Sequence, residues 1–153
     1  MEENTVHQGG CLCGAVRFEV RGTPKRVGAC HCRYCQLRSG SAFGVSVYFP
    51  HEDVTVLQGE LKSYAYQTES GNTTENQFCT ECGSNVLWKV GALPDYTGTA
   101  GGSYDPPTFW YEIQREVFQR SSADFVNLEA PESHATIPYY DPQVPEDERL
   151  KGG

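Results

Sequence analysis

Cys30-His31-Cys32-Arg33-Tyr34-Cys35 places three thiols in six residues. Two further pairs bracket it, Cys11-Leu12-Cys13 before and Cys79-Thr80-Glu81-Cys82 after. Seven thiols grouped this way can serve as metal ligands, redox groups or disulfides, and each choice implies a different fold. An odd number fits a disulfide framework poorly. The first residues, Met1-Glu2-Glu3-Asn4-Thr5, show no basic region leading into an apolar run. No apolar stretch approaches the roughly 20 residues of a membrane helix. The expectation is a soluble, cytoplasmic protein whose thiols stay reduced.

Glycine placement divides the seven. Cys13 is followed by Gly14 and Cys82 by Gly83, whereas Cys35 is followed by Gln36. A glycine after the second cysteine of a pair permits the tight turn of a zinc knuckle, with backbone N–H groups aimed at the sulfurs. Cys11, Cys13, Cys79 and Cys82 are therefore expected to form one closed structural zinc site, tying the first strand to the second half of the chain. Cys30, Cys32 and Cys35 remain as three ligands with one open position, the pattern of a working zinc site. Three thiolates around a divalent ion leave a net charge of about −1. Such an ion is a weak activator of water and a better holder of a substrate sulfur, so chemistry at a C–S bond is expected.

Three other readings stand beside this one. C-x-x-C also occurs in thiol–disulfide oxidoreductases, although their βαβ pattern is missing here. The triple could be a second structural zinc completed by His7, His31 or His51; His31, between two cysteines, should point away from their shared metal. The chain could also be a non-catalytic zinc-stabilised interaction module.

The remaining composition points to a mainly β protein. The 153 residues suit one domain, with 16 Gly, nine Pro and nine Tyr and an apolar content of 38%. A formal charge of −8 disfavours nucleic acid and anionic membranes as partners, while a homodimer is allowed. Val16, Phe18 and Val20 alternate with Arg17 and Glu19, the period of a half-buried strand. Residues 43–49 and 84–90 also read as strands. Residues 54–57 and 61–66 read as a hairpin about Gln58-Gly59-Glu60. Residues 1–8 read as a flexible lead-in, 67–76 as an exposed loop, 98–107 as having no regular period, and 109–118 as one more strand. Trp88 and Trp110 read as core. The expected organisation is a single zinc-binding catalytic domain over 1–130 and an acidic, Pro-rich tail over 131–153 that wraps the surface or is partly disordered.

Gly9-Gly10-Cys11-Leu12-Cys13-Gly14-Ala15-Val16-Arg17-Phe18, the triple with Ser39-Gly40-Ser41-Ala42-Phe43, and Phe78-Cys79-Thr80-Glu81-Cys82-Gly83-Ser84 together resemble the glutathione-dependent formaldehyde-activating enzyme family, which includes centromere protein V. The resemblance runs from about residue 7 to about 106. It implies an Mss4-like fold of mainly antiparallel β-sheets around zinc, and the same division into a four-cysteine and a three-cysteine zinc. It also implies carbon–sulfur lyase activity on a thiol adduct, with glutathione as cosubstrate.

Around the triple, Arg33 and Arg38 are candidates for a substrate carboxylate. Tyr34, Gln36 and Ser39 are candidate substrate contacts. Tyr104 and Asp105 are candidates for the open zinc face. Tyr104 and Glu116 are the candidates for moving a proton alongside the catalytic Cys30, Cys32 and Cys35.

Overall fold

A computed structural model of the protein describes residues 4–138 and 140–143. It is mainly β, in two sheets. The smaller has the order β1-β2-β5, from Val6–Gly10, Arg17–Arg21 and Val54–Gln58. The larger has eight strands in the order β11-β10-β3-β4-β9-β8-β7-β6. These are β3 (Arg26–Cys30), β4 (Gly44–Pro50), β6 (Leu61–Gln67), β7 (Thr73–Cys79), β8 (Asn85–Val90), β9 (Tyr96–Ala100), β10 (Arg115–Val117) and β11 (Glu132–Ser133). Pairing is antiparallel except that β10 runs parallel to β3 and to β11. One short helix, α1 (Arg33–Ser39), follows β3. No helix among the described residues is long and apolar enough to cross a membrane.

The alternation read in the first strand sets the core. Val16, Phe18 and Val20 are fully buried and meet Val27, Val47 and Phe49 of the larger sheet. Burying each such side chain contributes about 1.5–3 kcal/mol. In the larger sheet these residues occupy one face, so the alternate positions Arg26, Gly28, Cys30, Ser46 and Tyr48 face the opposite way.

Several expectations are corrected. The stretches 54–57 and 61–66 are strands but not a hairpin: β5 pairs with β2, and β6 pairs with β7. The chain crosses between sheets at Gly59, whose φ of +92° and approach to the Ala15 carbonyl suit only glycine. Gln58 Nε2 fastens the crossing by donating to the Gly14 and Ala15 carbonyls at 3.3 and 3.2 Å. Within 67–76, residues from Thr73 onward form β7, because ladder bonds on both sides outweigh polar side chains. Residues 96–100 form β9, whose glycine and threonines answer to neighbouring rings rather than to a strand period. Of 109–118, only Arg115–Val117 is strand. The supposed lead-in contains β1, held by five paired positions on β2. From Pro131 the described chain lies along the domain: β11 pairs with β10, and Phe118 N donates to the Thr136 carbonyl at 3.0 Å. The last ten residues of the expected tail lie outside the described residues.

Candidate functional site: two thiol clusters and a cavity

Cys11 and Cys13 sit in the turn between β1 and β2, while Cys79 ends β7 and Cys82 sits in the turn to β8. Their four sulfurs lie within 4.8 Å of one another. The Cys11–Cys13 and Cys13–Cys79 sulfur separations are 3.6 and 3.8 Å. A tetrahedral ion with bonds of about 2.3 Å requires ligand sulfurs about 3.8 Å apart, so the residues fit a four-thiolate metal. Backbone N–H groups approach the sulfurs: Val16 N to Cys11 Sγ at 3.2 Å and Glu81 N to Cys79 Sγ at 3.3 Å. Gly14 and Gly83 take φ of +80° and +76° at the two turns. The cluster joins the small sheet to the large one.

The triple is assembled differently. Cys30 ends β3, Cys32 is the N-cap of α1, and Cys35 lies in its first turn. Cys32 Sγ accepts the Cys35 N–H at 3.4 Å, so one side chain both caps the helix and faces the cluster. The three sulfurs lie within 4.8 Å of one another, and among the described residues no His, Asp or Glu joins the group. The triple thus fits a metal that keeps an open position.

The strand's alternation turns His31 the other way, fully buried, with Nε2 3.1 Å from Glu116 Oε2. His7 instead stacks on Trp110 at 3.7 Å. His51 is occupied by Thr97 Oγ1 and the Pro94 carbonyl. None of the three is a fourth ligand in this geometry.

Electrostatics single out Cys35. Hydrogen bonds from Cys30 and Cys32 hold its thiol well below the ordinary thiol range, and the adjacent Arg38 adds to this. Arg38 Nη2 lies 3.5 Å from Cys35 Sγ, and its guanidinium stacks 3.8 Å over the Trp88 ring.

The three cysteines, partly exposed, open into a cavity of about 490 Å³ on the face of the large sheet away from the core. Tyr34, Tyr48, Tyr66, Trp88 and Phe118 supply aromatic walls, and Ile137 and Pro138 of the C-terminal segment close one side. Tyr34 and Tyr66, both in the lining, stack at 5.8 Å. Burial pushes the phenols of Tyr48 and Tyr66 up to about 12, so both stay protonated donors at neutral pH. Gly28 and Ser46 are small residues that leave space in the lining, and Gly98 leaves room for the Trp88 indole.

The residues expected around the triple separate into two groups. Tyr34 and Arg38 line the cavity. Arg33, Gln36 and Ser39 do not: Arg33 reaches Gln36 Oε1 at 3.4 Å, Gln36 Nε2 donates to the Ser121 carbonyl at 3.0 Å, and Ser39 Oγ donates to the Cys35 carbonyl at 2.7 Å. Tyr104, expected at the open face, is in the core between the sheets, with its hydroxyl 2.5 Å from Thr99 Oγ1. Asp105 pairs with Arg17, one oxygen 3.0 Å from Nη1. Glu116 lies behind the triple, on His31 and Ser133. Trp88, read as core, is 3% exposed and also lines the cavity.

Arg26, Tyr48, Tyr66 and Arg115, which line the cavity, carry no site signal of their own in the sequence. Stepping back by two from Cys30 along a strand would have reached Gly28 and Arg26. Nothing local marks the others, which arrive from distant strands.

Comparison with known proteins adds three findings. The family model described as "Glutathione-dependent formaldehyde-activating enzyme" matches residues 6–121. A Halomonas elongata protein named "Putative glutathione-dependent formaldehyde-activating enzyme" is 34% identical over 86 residues, covering 53% of this chain and 54% of that protein. The matched part therefore spans about half of that relative's length. A crystal structure of a Rhodobacter sphaeroides protein superposes with a TM-score of 0.53 at 23% identity, covering 69% of this chain and 96% of the other. That likeness bears on the fold.

Proposed function

This chain belongs to the glutathione-dependent formaldehyde-activating enzyme family, and we propose that it is a zinc-dependent carbon–sulfur lyase-type enzyme acting on an adduct of glutathione or another thiol. The observation that carries this reading is the convergence of three thiols, with no fourth ligand among the described residues, on an aromatic-walled cavity. In this reading Cys11, Cys13, Cys79 and Cys82 hold a structural zinc, and Cys30, Cys32 and Cys35 hold a second one. The second ion would supply a soft position that favours the thiolate form of a substrate sulfur.

The chain's own groups carry the rest. Arg38 offsets the negative charge of the thiolate cluster, in a setting where little water screens it. The aromatic walls offer the adduct an apolar surface to pack against. In the direction of addition, a sulfur lone pair forms the C–S bond and the carbonyl π pair moves onto oxygen. A proton must then reach that oxygen. Tyr48 and Tyr66 line the cavity with protonated hydroxyls and can deliver it, the proton released by the thiol restoring the phenol; both transfers run in reverse when the bond breaks. Tyr104 and Glu116 do not reach the cavity, so the proton-moving role passes to these two tyrosines.

The test is a calorimetric titration of glutathione into zinc-loaded protein, followed by turnover measurements on two variants. Wild type should bind. Tyr48→Phe should lose on the order of 100-fold in turnover with little change in binding. Tyr104→Phe should keep turnover and lose about 1 kcal/mol of stability with the Thr99 bond. Absence of glutathione binding by protein carrying two zinc ions per chain would defeat the reading.

A further inference from the structure

We infer that the thiol conjugate taken by this cavity carries a carboxylate at the end remote from its sulfur, and that Arg26 and Arg115 receive it. The inference rests on the thiol-adduct reading above and names a feature of its substrate.

The charge of the cavity is the first observation. The chain has 20 acidic residues against 12 basic ones, yet among the described residues no Asp, Glu, Lys or His lines the cavity. The charged groups of that described lining are Arg26, Arg38 and Arg115, apart from the thiols themselves. Arg38 is already committed to Cys35 and Trp88. An apolar wall bearing two further guanidiniums is a receptor for an anion, since these groups are costly to bury without counter-charge.

The second observation is their incomplete pairing. Glu132 Oε2 takes Arg115 Nη2 at 3.0 Å and also His134 Nε2 at 2.8 Å. The same carboxylate is the one whose acidity reports the field of Arg26. Arg115 thus leans on a single carboxylate that is 54% exposed and shared with a histidine, and no ion pair engages Arg26 among the described residues. Arg115 Nε is buried with no hydrogen-bond partner among the described residues. The planar fork of arginine suits bidentate recognition of a carboxylate.

Strand geometry sets the spacing. Arg26, Gly28 and Cys30 share the cavity face of β3, and Arg115 is level with Gly28 in the β10–β3 register. A Cβ on Gly28 would touch Arg115 Cγ at 3.4 Å, so the arginine stem crosses the strand where the side chain is missing. Arg26 and Cys30 lie four residues apart, about 13 Å along the strand. With the length of the arginine side chain, a small extended conjugate bridges sulfur at the triple and carboxylate at the arginines.

That carboxylate can come from the thiol carrier or from a group attached to it, and the experiment separates the two. Calorimetry on zinc-loaded protein compares glutathione with its diethyl ester, and 6-mercaptohexanoate with 6-mercaptohexanol. Each comparison is made on wild type and on the Arg26→Gln/Arg115→Gln double variant, with zinc content and circular dichroism confirming the fold. Wild type should lose on the order of 10- to 100-fold in affinity when the carboxylate is removed from at least one pair. The pair that responds identifies the source. In the double variant that loss should shrink to a few-fold, the non-additivity expected of groups in contact. Equal wild-type affinity within both pairs would overturn the inference while leaving the thiol reading intact, and this arm does not depend on the variant folding. A carboxylate preference that persists undiminished in a folded double variant would also overturn it. If none of the four thiols binds wild type, the thiol reading fails and the inference fails with it.

Discussion

Gly98→Ala adds one methyl group to the middle of β9, and its consequences can be followed to the cysteines. Gly98 pairs with Tyr48 on β4 and with Trp88 on β8. A Cβ there would lie 2.2 Å from Trp88 Nε1, 2.4 Å from Trp88 Cδ1 and 2.9 Å from a Tyr48 ring carbon. Ordinary contact begins near 3.4 Å, so the indole must withdraw by about 1.2 Å. Trp88 is only 3% exposed and carries the Arg38 guanidinium 3.8 Å over its ring. The displacement therefore passes to Arg38, whose Nη2 contacts Cys35. Overpacking of this kind costs about 1–3 kcal/mol. Replacing glycine in a strand returns about 0.5–1 kcal/mol through the unfolded chain. With a 2.2 Å approach placing the cost at the upper end of that range, the net expectation is a loss of about 2–2.5 kcal/mol, or a fall in Tm of about 4–10 °C for a chain of this size. Urea unfolding gives the first number, and a glutathione titration shows whether the cavity has shifted. Gly102→Ala is the control, since a Cβ there meets nothing within 4 Å, and it should change stability by less than about 0.5 kcal/mol. Wild-type stability and glutathione affinity in Gly98→Ala would refute the close packing of Trp88 against β9.

Three other predictions address the thiol clusters and an ion pair. Cys79→Ser should unfold the protein or lower its stability by several kcal/mol, because the buried Cys79 belongs to the cluster that joins the sheets. Cys32→Ser should keep the fold, since serine is itself a good N-cap for α1; it should lose one metal per chain and all turnover, as elemental analysis and circular dichroism would show. Asp105 is held below the usual carboxylate range by its hydrogen bond from Arg17. The pair therefore contributes stability above about pH 4, and that contribution disappears as pH falls through the folded value. With Asp105 45% exposed, Asp105→Asn should cost under about 1 kcal/mol at pH 7. Urea unfolding should show a difference that is flat from pH 8 to pH 5 and shrinks below pH 4; a difference that grows in acid would exclude this origin.

The local chemistry of the clusters was legible in the chain because it depends on short-range spacing. Three thiols in six residues, glycines after Cys13 and Cys82, and the alternation of Val16, Phe18 and Val20 each reflect turns and strand periods completed within a few residues. From these follow the division of the cysteines, the β character and the burial of the first strand. The pairing of β5 with β2 rather than β6 was not legible, since a turn at Gly59 is compatible with a hairpin or a crossing until the Ala15 carbonyl is in place. The cavity was hidden for the same reason. Arg26, Tyr48, Trp88 and Arg115 come from four strands, and only sheet order and register bring them beside Cys30. Tyr104 and Glu116 show the converse: their chemistry suited proton transfer, but tertiary packing spends one on the core and the other on buried His31. Sequence alone determined which atoms can bind a metal; the packing of the sheets decided what a molecule held there would touch.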